Sequence, residues 1–235
     1  IMMIQQISIE KIKPDINQPR KSFNHTAIKE MAQSIKFEGI INPVEIDKDF
    51  VIITGEIRWR AAKEAGLKTV PCKILEIEDD ARFIRQVVEN IHHNTMSAWD
   101  TAKALEKLIT LATLAGDIPK PKKGTSIDKH ITWLTERIGK GRSTIKGYLA
   151  ILEADEEVQK AIKGGLAHSF AMELRATPPE FRKSIEKKVI KGEITTEGLR
   201  RVKTAIKLFP DKAKKIVEQD YSKCINEKEV KDKIK

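Results

Sequence analysis

The sequence predicts an α+β protein in which a small mixed α/β domain precedes an all-helical one. Three observations carry that reading. Short β-type runs bounded by turn residues occur only before residue 80, and every later segment repeats its apolar residues at helical spacing. Charged residues make up 33% of the chain and aromatic ones 5%, a composition suited to helices rather than to an aromatic-rich β-sandwich. The charge is also divided unevenly. Residues 1–115 carry 16 Lys/Arg against 16 Asp/Glu, while residues 116–235 carry 28 against 18, so the whole net charge of +10 lies in the second part.

The elements follow in order. ISIEKIKP reads as an edge strand stopped by Pro14, and HTAIKEMAQSIKFEG as a helix with Ile28, Met31 and Ile35 inward and Gly39 as its stop. Val44 to Ile46 and Phe50 to Ile53, joined by Asp47 to Asp49, give a hairpin signal. IRWRAAKEAG is helical and closes at Gly66, TVPCKILEI returns to strand, and DDARFIRQVVENIHH is a helix with Ala81, Ile84, Val87 and Val88 on one side. Ser97 with Asp100 three residues on opens an amphipathic helix that ends at Gly116. GDIPKPKKGTS has linker composition. The expected division is therefore 1–116 for the first domain, 117–210 for a run of short helices, and 211–235 for a basic tail that is poor in large apolar groups and frays.

Several classes are excluded. Cys72 and Cys224 have no CxxC or Cys/His spacing, so neither a zinc ribbon nor a disulfide framework is indicated, and a reducing cytoplasm is the expected compartment. No apolar run approaches the roughly 20 residues that span a bilayer. A neutral front and a +10 back point to a polyanion meeting the second part, because Lys and Arg near phosphates release condensed counterions.

Two segments carry chemistry. ITWLTERIGKGRSTIKGYLAIL reads as a helix-turn-helix, with Ile131, Leu134 and Ile138 inward on the first helix, Gly139 at the turn, and Ile145, Leu149 and Leu152 inward on the second. Lys140, Arg142, Ser143, Thr144 and Lys146 then stand where a second helix meets the major groove, and Tyr148 follows one turn later. TGEIRWRAA places Gly55 and Arg58 where a strand hands over to a helix, an anion-accepting geometry in which backbone N–H groups and the helix dipole favour phosphate. NQPRKSF at residues 17–23 adds Arg20 and Lys21 in a turn, and VENIHHN at 88–94 adds Glu89 and Asn90, oxygen donors suited to Mg²⁺ held with phosphates.

With NQPRK, GEIRWRAA and ENI in this order and a helix-turn-helix behind them, the sequence resembles the ParB family of partition proteins over roughly residues 5–205. The resemblance implies a CTP-dependent sliding clamp on centromere-like DNA, dimeric and cytoplasmic on the nucleoid or a plasmid. In it, Gln18, Arg20, Lys21, Thr54, Gly55, Glu56 and Arg58 hold the nucleotide, Glu89 and Asn90 serve nucleotide and metal, and Glu56 and Arg58 carry slow hydrolysis of CTP. A ParA-type ATPase is the implied partner. Too little chain follows Phe209 for the family's usual dimerisation domain, which implies either truncation or self-association through the N-terminal domains. Three departures stand out: a GERR core reads Gly55-Glu56-Ile57-Arg58, an ENIQR box ends in His92-His93, and a GHAR helix start reads Ala167-His168-Ser169-Phe170. Adjacent histidines on a helix point about 100° apart, so solvent exposure is expected rather than chelation.

Rival readings are a transcriptional regulator or nucleoid-occlusion relative, and a small-molecule kinase on the same N-terminal fold with Glu56 as base. A sulfiredoxin is excluded because no Cys precedes Pro71.

Overall fold

The computed structural model describes residues 4–21, 23–120 and 128–218. The chain forms two compact units, Ile1–Lys120 and Pro121–Lys235. Most of the linker-like stretch and residues 219–235 of the expected tail lie outside the described residues.

In the N-terminal unit the order is β1 (Ile4–Ser8), α1 (His25–Glu38), β2 (Val44–Ile46), β3 (Ile52–Thr54), α2 (Glu56–Glu64), β4 (Thr69–Ile74), α3 (Asp79–His92) and α4 (Ala98–Ala115). The sheet runs β1-β4-β2-β3, with β1 antiparallel to β4, β4 parallel to β2, and β2 antiparallel to β3. The hairpin turn is held from within, because the Asp47 carboxylate accepts from the N–H groups of Asp49 at 2.9 Å and Val51 at 2.8 Å. Helix α2 is covered on both sides. Trp59 and Ala62 pack on the sheet with Val44, Ile46, Val70 and Cys72, while Ala61 meets Ile28, Ala32 and Ile35 of α1. Burial pushes the Cys72 thiol up to about 11. The Ser97 hydroxyl caps α4 by accepting from Asp100 N at 3.1 Å.

Four local expectations are corrected. The first strand occupies Ile4–Ser8, and a turn follows in which Ile9 and Ile12 are buried; Trp59 Nε1 donates to the Ile9 carbonyl at 3.2 Å and anchors this bend. Ala32, not Met31, completes the inner face of α1. Phe50 belongs to the hairpin turn, with φ 61°, and not to the strand. The inner face of α3 is Phe83, Gln86, Val87, Asn90 and Ile91, whereas Ala81 is exposed and Ile84 and Val88 are half-buried. Two polar residues sit on that face because they have internal partners, which a hydrophobic pattern alone does not register.

The C-terminal unit is helical throughout its described residues: α5 (Asp128–Ile138), α6 (Arg142–Leu152), α7 (Glu156–Lys163), α8 (Ser169–Arg175), α9 (Pro179–Ile190), α10 (Thr196–Leu208), a 3-10 turn (Pro210–Lys212) and α11 (Ala213–Glu218). Its core includes Ile131, Leu134, Ile145, Ile151, Ile185 and Ile216. Leu152 is half-buried, and Ile151 takes the inward position expected for it. The expectation of a frayed tail from residue 211 is also corrected, since α11 buries Ala213, Ile216 and Val217 and Lys188 Nζ donates to the Val217 carbonyl at 2.6 Å. Among the described residues no helix is long and apolar enough to cross a membrane.

Candidate functional site

Strand β3 ends at Thr54, and Gly55 turns the chain into α2 with φ 94°, a left-handed conformation that glycine adopts without strain. The first-turn N–H groups of α2 have no intrahelical acceptor and carry the positive end of the helix dipole. Arg58 folds back across this turn. Its Nη1 donates to the carbonyls of Asn42 at 2.8 Å and Pro43 at 2.6 Å, and a Cβ on Gly55 would lie 3.0 Å from its Cζ. Glycine is therefore favoured by its backbone, and a Cβ there would also press the Arg58 guanidinium aside by a few tenths of an ångström. Glu56 is buried, and its Oε1 accepts from Arg60 Nε at 2.8 Å and Nη2 at 2.6 Å. Arg60 is thus engaged by a buried carboxylate. The Thr54 hydroxyl donates to Glu45 Oε2 at 3.3 Å.

Two of the three sequence boxes meet at Phe23. The Arg20 guanidinium lies 4.4 Å from the centre of the Phe23 ring, and that of Arg60 lies 4.3 Å from the same ring. Burial holds the Arg20 pKa below the ordinary arginine value; the carboxylates of Glu89 and Glu56 oppose that shift and the Arg60 charge adds to it. Arg20 consequently feels both other boxes. The turn that carries it is pinned to α3, because Gln86 Nε2 donates to Asp15 Oδ2 at 3.0 Å and Arg82 Nε pairs with the same carboxylate at 3.3 Å.

The two residues expected to serve a metal differ. Glu89 is half-buried, and its carboxylate has no hydrogen bond or ion pair among the described residues, so it fits an Mg²⁺ held with phosphates. Asn90 is buried, its amide donates to the Gln86 carbonyl at 2.8 Å, and its Oδ1 accepts from the Thr95 hydroxyl at 2.6 Å. That amide closes the end of α3 and fits a metal only after releasing Thr95. His92 and His93 are exposed, and no group of three metal-ligating side chains occurs among the described residues. Gln18 and Lys21 do not join Arg20; they line a separate cleft against α4. Sequence reasoning missed Phe23 and undervalued Arg60, although the four-residue spacing of Glu56 and Arg60 is a legible ion-pair signal.

In the C-terminal unit α5 and α6 are joined at Gly139, φ 72°, and pack through Ile131, Leu134, Ile138, Ile145 and Leu149. Arg142, Ser143, Thr144 and Lys146 are exposed at the start of α6, and Lys140 is half-buried in the turn. Arg142 reaches back to α5, donating to Thr132 Oγ1 at 2.6 Å and Asp128 Oδ1 at 2.8 Å, and Lys146 Nζ lies 3.7 Å from the same carboxylate. Tyr148 stacks on His168, with ring centroids 4.8 Å apart and planes 14° from parallel. Burial holds the His168 pKa below its ordinary value. Asp128 is a residue near this surface that sequence reasoning did not single out, and His168 was noted only as part of an altered helix start, not as a partner of Tyr148.

A mixed α/β unit with an anion-accepting turn, ahead of a helical unit with a helix-turn-helix, defines a class of two-unit proteins that carry a candidate anion site and a candidate DNA-binding element on separate units. The comparisons narrow the class. The model of the ParB N-terminal domain matches residues 2–91. The chain is 31% identical over 234 residues to a probable chromosome-partitioning protein ParB of Vibrio cholerae, covering 96% of this chain and 75% of that protein. It is 30% identical over 218 residues to a nucleoid occlusion protein of Shouchella clausii, covering 90% of this chain and 72% of that one. Among solved structures, a C-terminally truncated ParB from Caulobacter crescentus complexed to the centromeric parS site aligns with a TM-score of 0.61 at 22% identity, over 85% of this chain and 98% of that chain. The chain belongs to the ParB family.

Proposed function

We propose that the chain is a partition protein that grips a centromere-like duplex site with α5 and α6 and uses CTP with Mg²⁺ to control how two copies close around DNA. The observation that carries this reading is that Arg20 and Arg60, from two boxes far apart in sequence, close on one Phe23 ring beside the buried Glu56 at the Gly55 turn. Bound at the Gly55 turn, a triphosphate supplies the anhydride to be cleaved, and the metal offsets its charge. The residues then have distinct tasks. The α2 N–H groups and Arg20 meet phosphate oxygens, Glu89 meets the metal, and Arg58 reaches phosphate by giving up the carbonyls of Asn42 and Pro43. Glu56 is spent on Arg60 and accepts a proton only when that pair opens, which suits slow hydrolysis. Asn90 acts by holding the end of α3 until Thr95 is released.

Calorimetric titration with CTP, ATP, GTP and UTP in the presence of Mg²⁺ tests the nucleotide. CTP is expected to bind most tightly, and equal affinity for all four removes the assignment. Crosslinking of two N-terminal units that rises with CTP and cognate DNA tests the clamp. A ParA-type ATPase is the proposed partner in segregation. The likeness to the Shouchella clausii protein favours a second reading, nucleoid occlusion or regulation without segregation. Loss of a replicon from cells lacking the gene would set that second reading aside.

A further inference from the structure

The turn that carries Arg20 hangs from the edge of the sheet. Lys13 bridges β3 through its own backbone, its N–H donating to the Phe50 carbonyl at 2.9 Å and its carbonyl accepting from Ile52 N at 2.9 Å. Asp15 then opens the turn, with Oδ1 accepting from Asn17 N at 2.8 Å. Its other oxygen faces α3, where it meets Gln86 Nε2 at 3.0 Å and Arg82 Nε at 3.3 Å. Arg82 continues past Asp15: Nη1 pairs with Asp47 Oδ2, and Nη2 with Asp79 Oδ1 at 2.8 Å. Asp47 is the residue whose Oδ1 folds the β2–β3 turn, so one guanidinium joins the hairpin, the Arg20 turn and the start of α3.

The side chains of Asp15, Asp47 and Arg82 are 6%, 7% and 13% exposed, against 88% for Asp79. The buried bridge is therefore Asp15–Arg82–Asp47, and Asp79 is a contact at its rim. The hairpin turn and the β4–α3 connection are parted by a cleft of about 770 Å³ that Arg82 lines, so charge rather than apolar contact joins them there. Two features mark this bridge as one that fixes position. Taking ions out of water costs about what their attraction returns, and apolar side chains of similar volume commonly stabilise as well or better; a planar guanidinium adds direction, because it accepts carboxylates only along fixed lines. Gln86 is the second feature. Its Nε2 donates to Asp15 and also to the Ile52 carbonyl at 3.2 Å, which leaves its buried Oε1 without a partner among the described residues. Turning the amide over would set Oε1 against two acceptors, so the orphaned oxygen is a consequence of holding Asp15.

We infer that Arg82 is a positioning residue for the nucleotide site: through Asp47, Arg82 and Asp15, the hairpin turn at residues 47–51, which includes none of the candidate ligand residues, sets where Arg20 stands. Arg82 itself makes no contact with the nucleotide in this arrangement. Its effect on affinity comes from holding the 15–21 turn in one place before the ligand arrives, so that binding does not have to order it. The effect on affinity rests on the CTP function proposed above, whereas the bridge itself does not.

The test is hydrogen exchange of the full chain read over residues 15–21, together with calorimetric titration of the same chain with CTP and Mg²⁺. Asp47→Asn is the main variant: an amide oxygen still accepts from Asp49 and Val51 N–H, and Asp15 still balances Arg82, but the charge that ties Arg82 to the hairpin is gone. Arg82→Lys is the second, since an ammonium pairs with one carboxylate instead of bridging two. Both are expected to speed exchange over 15–21 by about tenfold and to weaken CTP binding by about five- to tenfold. Asp79→Asn at the exposed rim, and Ile46→Val in the core beside the hairpin, are expected to move either reading by less than about twofold. Unchanged exchange over 15–21 in both bridge variants overturns the inference. So does faster exchange at unchanged CTP affinity, or an equal effect from Ile46→Val, which would reduce Arg82 to a general contribution to stability. Faster exchange in a chain that binds no CTP keeps the bridge and removes the nucleotide function instead.

Discussion

In the N-terminal unit five of the nine candidate ligand residues are part of the core, whereas in the C-terminal unit most stand on top of it. Gln18, Thr54, Gly55, Glu56 and Asn90 are all buried, while Arg142, Ser143, Thr144 and Lys146 are all exposed. A phosphate turn has to present backbone N–H groups, so its neighbours are fixed by the packing that fixes the backbone. A helix that enters a groove has only to project side chains from a surface that is already stable. Substitutions in the first region are therefore expected to cost stability and binding together, and in the second to cost binding alone.

The sharpest way to break that contrast is Gly55→Ala. The left-handed backbone costs about 1–2 kcal/mol for a residue with a Cβ, and the strain put on the two Arg58 hydrogen bonds adds about 1–2, so a loss of about 2–4 kcal/mol is expected in urea unfolding. An unchanged midpoint would show that the turn is not held as described. Arg58→Ala comes next. It is expected to abolish CTP binding and also to cost about 1–3 kcal/mol of stability; an absence of binding at full stability would mean that the hydrogen bonds to Asn42 and Pro43 hold nothing together.

On the opposite side, the triple variant Lys140→Ala/Arg142→Ala/Lys146→Ala is expected to lower the salt slope of DNA binding by about 0.9 for each DNA phosphate that is no longer neutralised. Its unfolding free energy should shift by less than about 0.5 kcal/mol. A larger loss of stability would move these residues into the same category as the Gly55 turn.

Among the buried carboxylates of the C-terminal unit, Glu173 sharpens the comparison. Burial alone would raise its pKa, but hydrogen bonds from Lys203 at 2.6 Å and Arg200 at 2.7 Å outweigh burial and lower it. A lowered carboxylate pKa means stability that is complete above the ordinary value of 4.5 and is lost as pH falls from there towards the folded value. Unfolding measured across that acid range should show the loss, and Glu173→Gln should flatten it. The smallest effect is expected from Asp128→Ala, which frees Arg142 and Lys146. An exposed ion pair contributes at most about 1 kcal/mol, so DNA affinity is expected to rise only a few-fold in filter binding, with stability unchanged.

The elements were largely legible before the structure because their signals are local. Asn24 and Ser97 cap helices with their own side chains, and Gly39, Gly66 and Gly116 end them with positive φ. The hairpin turn is likewise a property of Asp47 and its next few neighbours. Reading failed where a polar residue is buried by a distant partner. Gln86 faces inward because Asp15 lies across from it in space, 71 residues away in sequence, and that shifts the whole inner face of α3 from the one that hydrophobicity suggests. The end of the described chain was misread for a related reason: Ala213, Ile216 and Val217 are a weak apolar pattern alone, and they form a helix because the C-terminal unit covers them.

What the sequence determined by itself was the family, the order of two units, and the residue types able to meet phosphate and DNA, all of which depend on composition and short spacings. Only the tertiary structure decided that Arg58 is held by carbonyls 15 and 16 residues away, that Asn90 locks a helix end, that Arg142 leans on Asp128, and that Gln18 faces α4 rather than Arg20. The physical reason is the same in each case. A side chain's chemistry is written in its type, but its partner is chosen by which backbone segments the packed core brings within hydrogen-bond reach.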